Sequence, residues 1–149
     1  MLWSGDELAL PNDPGWADEP GHGDDNRWAH RPRLDPAVAA RRRDVGTVEA
    51  RVFEGLRHLA RSRASLPHLH ASVASEVLGP DDPGVLTVVR RHPLGPLLAA
   101  YNVTPDWRPV PGWRLRELGV THDALTGTDV RPGDDDNLWL EPWRAVWLT

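Results

Sequence analysis

The stretch SVASEVLGPDDPGVLTVVRR, residues 72–91, decides the fold. Two runs of strand composition, Ser72–Leu78 and Val85–Arg91, flank Gly79-Pro80-Asp81-Asp82-Pro83-Gly84. Proline presets one backbone angle, glycine permits the others, and aspartate bonds its own backbone, so this hexapeptide reads as a turn between strands. Working outward, Leu97–Val103 follows Pro93 and Pro96 as a further strand. Trp113–Leu118 reads as an alternating strand, with Trp113, Leu115 and Glu117 on one face and Arg114, Arg116 and Leu118 on the other. Leu138–Glu141 and Arg144–Leu148, separated by Pro142, close the chain. Short strands with turns between them predict a small antiparallel sandwich.

The N-terminal half differs. Residues 2–4 are apolar and run into Gly5-Asp6-Glu7, as at the end of a buried strand. Residues 11–33 form a long polar loop, with Trp16, Trp28 and three arginines arguing for order against disorder. Asp35-Pro36 suits the cap and first position of a short helix to about Arg42. Thr47 can cap the clearest helix, Val48 to about Ser62. Its Val48, Val52, Leu56, Leu59 and Ala60 recur at three- and four-residue spacing and make one apolar stripe. That order of elements resembles the last βα unit of a barrel followed by an appended β domain.

Composition bounds the rest. The chain has 149 residues, 40% hydrophobic and 26% charged, with a net charge of −5, which argues against nucleic-acid binding. No apolar run reaches transmembrane length, and the N-terminus shows no signal-peptide pattern, so the cytoplasm is the expected compartment. The absence of cysteine excludes disulfides and thiolate chemistry. All 17 cationic side chains are arginine. Most of the eight tryptophans are expected in the core, including most of Trp107, Trp113, Trp139, Trp143 and Trp147.

Several runs resemble one family. Leu2-Trp3-Ser4-Gly5-Asp6-Glu7 is similar to the eighth barrel strand and following turn of α-amylase superfamily enzymes. Asn12-Asp13 and Asp25-Asn26-Arg27-Trp28-Ala29-His30-Arg31-Pro32-Arg33 resemble the next loop of amylosucrases and sucrose hydrolases, in glycoside hydrolase family 13. Val52–Leu59 with Arg61 and Arg63 resembles the eighth barrel helix, and Leu138–Trp143 with Val146–Leu148 the closing strands of the C-terminal β domain. The resemblance implies an α+β fragment: the last βα unit of a TIM (β/α)8 barrel over residues 1–66, then a C-terminal antiparallel β-sandwich domain over 67–149. It further implies a retaining α-glucosyl-transferring enzyme of carbohydrate metabolism, acting on sucrose and α-glucan by transglycosylation.

In such enzymes two carboxyl groups about 5 Å apart serve as nucleophile and acid/base. The resemblance places both on earlier strands, so this chain holds no catalytic residue and is expected to be truncated and inactive alone. Local carboxylates do not replace them. Asp6 and Glu7, if in a strand, point to opposite faces, and Asp24-Asp25 and Asp134-Asp135-Asp136 read as solvated turns. The substrate-binding residue implied is Arg27, which matches the arginine closing the base of the glucose pocket by pairing with an aspartate of a distant loop. Without that aspartate, Arg27 is expected to be unpaired and solvated, with His30, Arg31 and Arg33 anchoring the loop. No cofactor or metal is expected. His68-x-His70 offers two ligands where structural zinc takes four, and reads as a surface or packing pair. A separate barrel polypeptide is a candidate partner, and a stand-alone α-glucan-binding β module is the alternative function. The β module should be the stable part, and the stripe of the 48–62 helix poorly covered.

Overall fold

Asp35 and Thr47 start helices as their side chains dictate. Asp35 accepts from the Ala37 amide at the head of α1 (Pro36–Ala40), and Thr47 Oγ1 accepts from the Ala50 amide at the head of α2 (Val48–Ser65). The computed structural model describes residues 5–149, so the strand expected at 2–4 lies outside the described residues. The chain divides into two compact units, Met1–Arg61 and Ser62–Thr149.

In the first unit, residues 5–33 are loop with 3-10 turns at Asp6–Leu8, Trp16–Asp18 and Asn26–His30. Asp6 and Glu7 therefore sit in a turn, and Glu7 accepts from the Gly5 amide. The unit buries little: Leu8 and Ala50 are its buried apolar side chains among the described residues. On α2, Val48 and Leu59 stay 51% and 38% exposed, so the apolar stripe is open as expected.

The second unit contains both hydrophobic clusters. Its larger sheet has six strands in the order β1-β2-β3-β8-β5-β6, where β1 is Glu76–Val77, β2 Val85–His92, β3 Gly95–Asn102, β5 His122–Asp123, β6 Thr128–Asp129 and β8 Ala145–Leu148. The smaller sheet pairs β4 (Arg108–Pro111) with β7 (Asn137–Leu140). Every pairing is antiparallel. β2 and β3 form a hairpin closed by His92 opposite Gly95, whose φ of 122° is a conformation few other residues adopt. Pro96 is tolerated in β3 because β8 pairs only with Leu98–Tyr101, so no bond needs its missing N–H there.

β3 is buried on both faces. Leu98 and Ala100 join Val85, Val110, Leu115, Leu140, Val146 and Leu148 in the main cluster, which draws on both sheets. Leu97 and Ala99 point the other way and pack with Trp147 and Leu69. With about 1.5–3 kcal/mol for each fully buried leucine or valine, these two clusters supply the folding drive of this unit.

Two expectations are corrected. Trp113–Leu118 is not a strand but the helix α3 (Gly112–Leu118). Leu115 and Leu118 are three apart, which puts both against the main cluster only in a helix. Leucine, arginine and glutamate favour that state. Gly119 ends it at φ 69°, its amide bonding back to the Arg116 and Leu115 carbonyls. The strand expected over 72–78 shrinks to β1, because residues 70–73 form a turn onto which Arg90 clamps by donating to the His70 and Val73 carbonyls.

Candidate functional sites

The loop of the first unit closes on itself. The Asp13 amide donates to the Ala29 carbonyl, His30 Nδ1 lies 3.1 Å from Asn12 Oδ1, and Arg33 donates to Glu19 at 2.9 Å. Trp28 is stacked by His22 at 3.9 Å on one side and approached by the Arg31 guanidinium at 5.6 Å. These contacts bring Gly5, Asp6, Asn12, Arg27, His30 and Arg31 around one cleft of about 310 Å³.

Arg27 is solvated but not unpaired, which corrects the expectation. Its Nε and Nη2 grip Asp25 at 2.7 Å each, and its amide donates to the same carboxylate at 3.0 Å. The physical reason is proximity: Asp25 caps the 3-10 turn Asn26–His30 and so stands two residues from the guanidinium. Arg27's hydrogen bonds, side chain first and backbone second, pull the Asp25 carboxyl from its ordinary 3.8 down to about 2. Asp25 in turn raises Arg27. The fork geometry of guanidinium and carboxylate favours such bidentate pairing.

The tryptophans of the second unit are a second correction. Trp107, Trp113, Trp139 and Trp143 are 55%, 47%, 46% and 67% exposed, and only Trp147 of the five is buried. Trp107 and Trp139 line a cleft of about 190 Å³ together with Thr126, Thr128, Glu141 and Arg144. Its floor includes Asp123, fully buried, which accepts from the Thr126 hydroxyl at 2.9 Å and lies 3.7 Å from Arg144. Trp139 is held in place, since its indole N–H donates to Asp135 at 2.7 Å. That bond, first, and those from Asn137 lower the Asp135 carboxyl below its ordinary range. Beneath the Trp107 loop, buried Asn102 donates to the Asp106, Leu140 and Glu141 carbonyls and accepts from Thr104.

The remaining expected groups disperse. His68 is buried, 5.1 Å from the His92 ring, whereas His70 is exposed and bonded to Ser72. Asp136 bridges to Arg116, so the 134–136 run is a structural turn. The sequence carries no direct sign of what Asn102 ties together, and it shows Asp135 as part of a turn and Arg144 as the start of a strand, not as cleft residues. A polar Asn102 at the end of the apolar run Leu97–Tyr101 was the one available signal.

Fold and clefts together define an α+β chain whose second unit is an antiparallel β domain with an aromatic-rimmed cleft. Residues 75–149 match the family described as the amylosucrase C-terminal domain, and the chain belongs to that family. Two solved structures share the fold. One is AmyP in complex with maltose, 17% identical over 70% of this chain and 21% of that chain, with a TM-score of 0.56. The other is the trehalulose synthase MutB of Pseudomonas mesoacidophila MX-45, 16% identical over 78% of this chain and 21% of that chain, with a TM-score of 0.51. At these identities the likeness is one of fold, and the chain spans about a fifth of either enzyme.

Proposed function

We propose that this chain is the carboxy-terminal part of a retaining α-glucosyl-transferring enzyme that acts on sucrose or α-glucan. Residues 1–66 would supply the last βα unit of a (β/α)8 barrel, and residues 67–149 the appended β domain. The relatives favour carbohydrate as the substrate class, since one was solved with maltose and the other is a trehalulose synthase. The observation that carries the reading is the convergence of Gly5, Asp6, Asn12, Arg27, His30 and Arg31 on one cleft. In that reading the nucleophile and acid/base come from outside these residues. Arg27 exchanges its Asp25 partner for a carboxylate of the barrel and closes the glucose pocket.

The experiment supplies the chain with an amylosucrase barrel that lacks the corresponding residues and measures fructose release from sucrose. Release by the mixture and none by either part supports the reading; a mixture that stays silent while both parts are folded removes it. Arg27→Ala should then lower kcat/KM by about 10- to 150-fold, the scale of losing a charged hydrogen-bonded pair. Unchanged turnover would dismiss the pocket role.

One observation favours a second reading, an α-glucan-binding β module. Four tryptophans of the second unit are exposed where burial was expected. Titration with maltooligosaccharide while following tryptophan fluorescence tests it, and a flat response removes it.

A further inference from the structure

We propose that the cleft between Trp107 and Trp139 binds a segment of α-glucan chain. The C–H faces of its rings would lie on the two indoles, with its hydroxyls on Glu141, Arg144 and the Thr126–Thr128 pair. The proposal rests on the binding-module reading and names its site.

A pyranose ring has an apolar face and a rim of hydroxyls that both donate and accept. It therefore calls for an aromatic wall bordered by acceptors and donors. Trp107 and Trp139 supply the wall, the Glu141 carboxylate accepts, Arg144 donates, and the Thr126 and Thr128 hydroxyls, whose hydrogens go to Asp123 and Thr126, accept. The wall is preorganised. Asp135 fixes the Trp139 ring through its indole N–H, and Asn102 ties the 104–106 loop before Trp107 to the carbonyls of Leu140 and Glu141. A side chain already held in place loses less freedom on binding. Arg144 is poised between solvent and buried Asp123, so it keeps its orientation while remaining 40% exposed.

The size of the cleft suits a chain segment. About 190 Å³ is below the roughly 300–1,000 Å³ of pockets that engulf a drug-sized ligand. A shallow open cleft holds a ring or two of a longer polymer that runs on past both ends. The competing occupant of a tryptophan-lined groove is a proline-rich peptide. Such a peptide brings mainly carbonyl acceptors, and its usual anchor is a donor on the aromatic ridge. Here the Trp139 indole N–H is already given to Asp135. A polyol supplies its own donors and acceptors and does not need that group.

The test titrates the full 149-residue chain with maltoheptaose by calorimetry, alongside Trp107→Ala, Trp139→Ala, Glu141→Ala and the control Trp113→Ala on α3. Circular dichroism confirms the fold of each variant, and Trp139→Phe, which keeps a ring, replaces any alanine variant that unfolds. The expected result is that Trp107→Ala and Trp139→Ala each weaken binding roughly tenfold or more, a factor worth about 1.4 kcal/mol. Glu141→Ala should weaken it severalfold, and Trp113→Ala should leave it within about twofold. If wild type binds maltoheptaose and the cleft variants bind equally well, the site assignment is overturned while the binding-module reading stands. If wild type gives no heat with maltoheptaose, both fail. Heat with decaproline and none with maltoheptaose would overturn the proposal in favour of a peptide groove.

Discussion

Asn102→Ala is the most informative single change in the second unit. Asn102 is 3% exposed and sits where β3 leaves the sheet. Its amide nitrogen reaches three carbonyls, those of Asp106 at 2.7 Å, Glu141 at 2.8 Å and Leu140 at 3.2 Å. Its two hydrogens satisfy two of these fully and the third in a shared bond. Its carbonyl oxygen accepts from the Thr104 amide at 3.0 Å and hydroxyl at 2.8 Å. Five bonds at about 0.5–1.5 kcal/mol each, less than additive in one cluster and one of them shared, give an expected loss of ~3 kcal/mol. Alanine also leaves buried carbonyls without a donor, which pushes the value up rather than down. Urea unfolding followed by far-UV circular dichroism measures it. With a slope of about 1–3 kcal/mol per molar, the midpoint should fall by ~1–3 M. A loss below ~1 kcal/mol at unchanged slope would refute the assignment of Asn102 as the tie between the two loops. The same variant should bind maltoheptaose more weakly than its residual stability explains, because Trp107 is no longer held.

Two ion pairs of the second unit should behave differently. Arg114 and Asp81 are 11% and 21% exposed, and Arg114→Ala should cost about 1–3 kcal/mol by denaturation. Arg116 and Asp136 are 61% and 54% exposed, and Arg116→Ala should leave the unfolding midpoint nearly unchanged; equal losses would show that burial does not set the difference. For Asp25, the folded carboxyl is depressed, so its bridge to Arg27 contributes above the ordinary 3.8 and is lost as pH falls through about 2. Carbon-detected NMR should find that low midpoint in wild type and an ordinary one in Arg27→Ala; a wild-type midpoint near 3.8 contradicts the bridge. His68 is lowered from 6.5 by burial and then by the nearby His92 charge. The unfolded chain therefore binds the proton more readily, and stability present above pH 6.5 declines as pH falls below it. The decline should vanish in His68→Gln, and a parallel decline in that variant would assign it elsewhere.

Much of the β unit was legible because turn chemistry is local. Gly79–Gly84 and Pro93-Leu94-Gly95 carry their own conformational instructions, and β2 and β3 fall where those turns place them. The caps at Asp35 and Thr47 are legible for the same reason. What escaped was set by longer-range contacts. β5 and β6 are two residues each, too short to show a period, and exist because Asp123 pairs with Leu148 and Thr128 across a gap of sequence. Residues 113–118 alternate in polarity, yet Leu115 and Leu118 also fit a helical period and Gly119 is a helix stop signal, and packing against the main cluster selects the helix. The run Asp25–Arg33 is visible as a motif, whereas the cleft that its residues share with Gly5, Asp6 and Asn12 is set by the folded loop. The Asp25 partner was missed because a carboxylate two residues away was read only as a solvated turn.

The tryptophans show where sequence reading ends. Leu138-Trp139-Leu140 and Val146-Trp147-Leu148 are near-identical patterns on strands that follow one another in the chain but lie in different sheets. In both, the flanking aliphatics point into the main cluster and the tryptophan points away, as alternation requires. Trp147 is nonetheless 9% exposed and Trp139 46%. The difference lies on the far side of each sheet. Behind β8, Leu66 and Leu69 pack with Leu97 and Ala99 as a second layer that takes in Trp147, whose indole donates to Tyr101. Trp139, on β7 of the two-stranded sheet, is tied to Asp135, borders the open cleft with Trp107 and stays half exposed. Alternation therefore fixes which way a side chain points, and only the presence of a second layer decides whether it is core or surface. A large apolar ring that is left on the surface and tied down by a carboxylate is poorly explained by packing, and that is the physical ground for reading Trp139 as a platform.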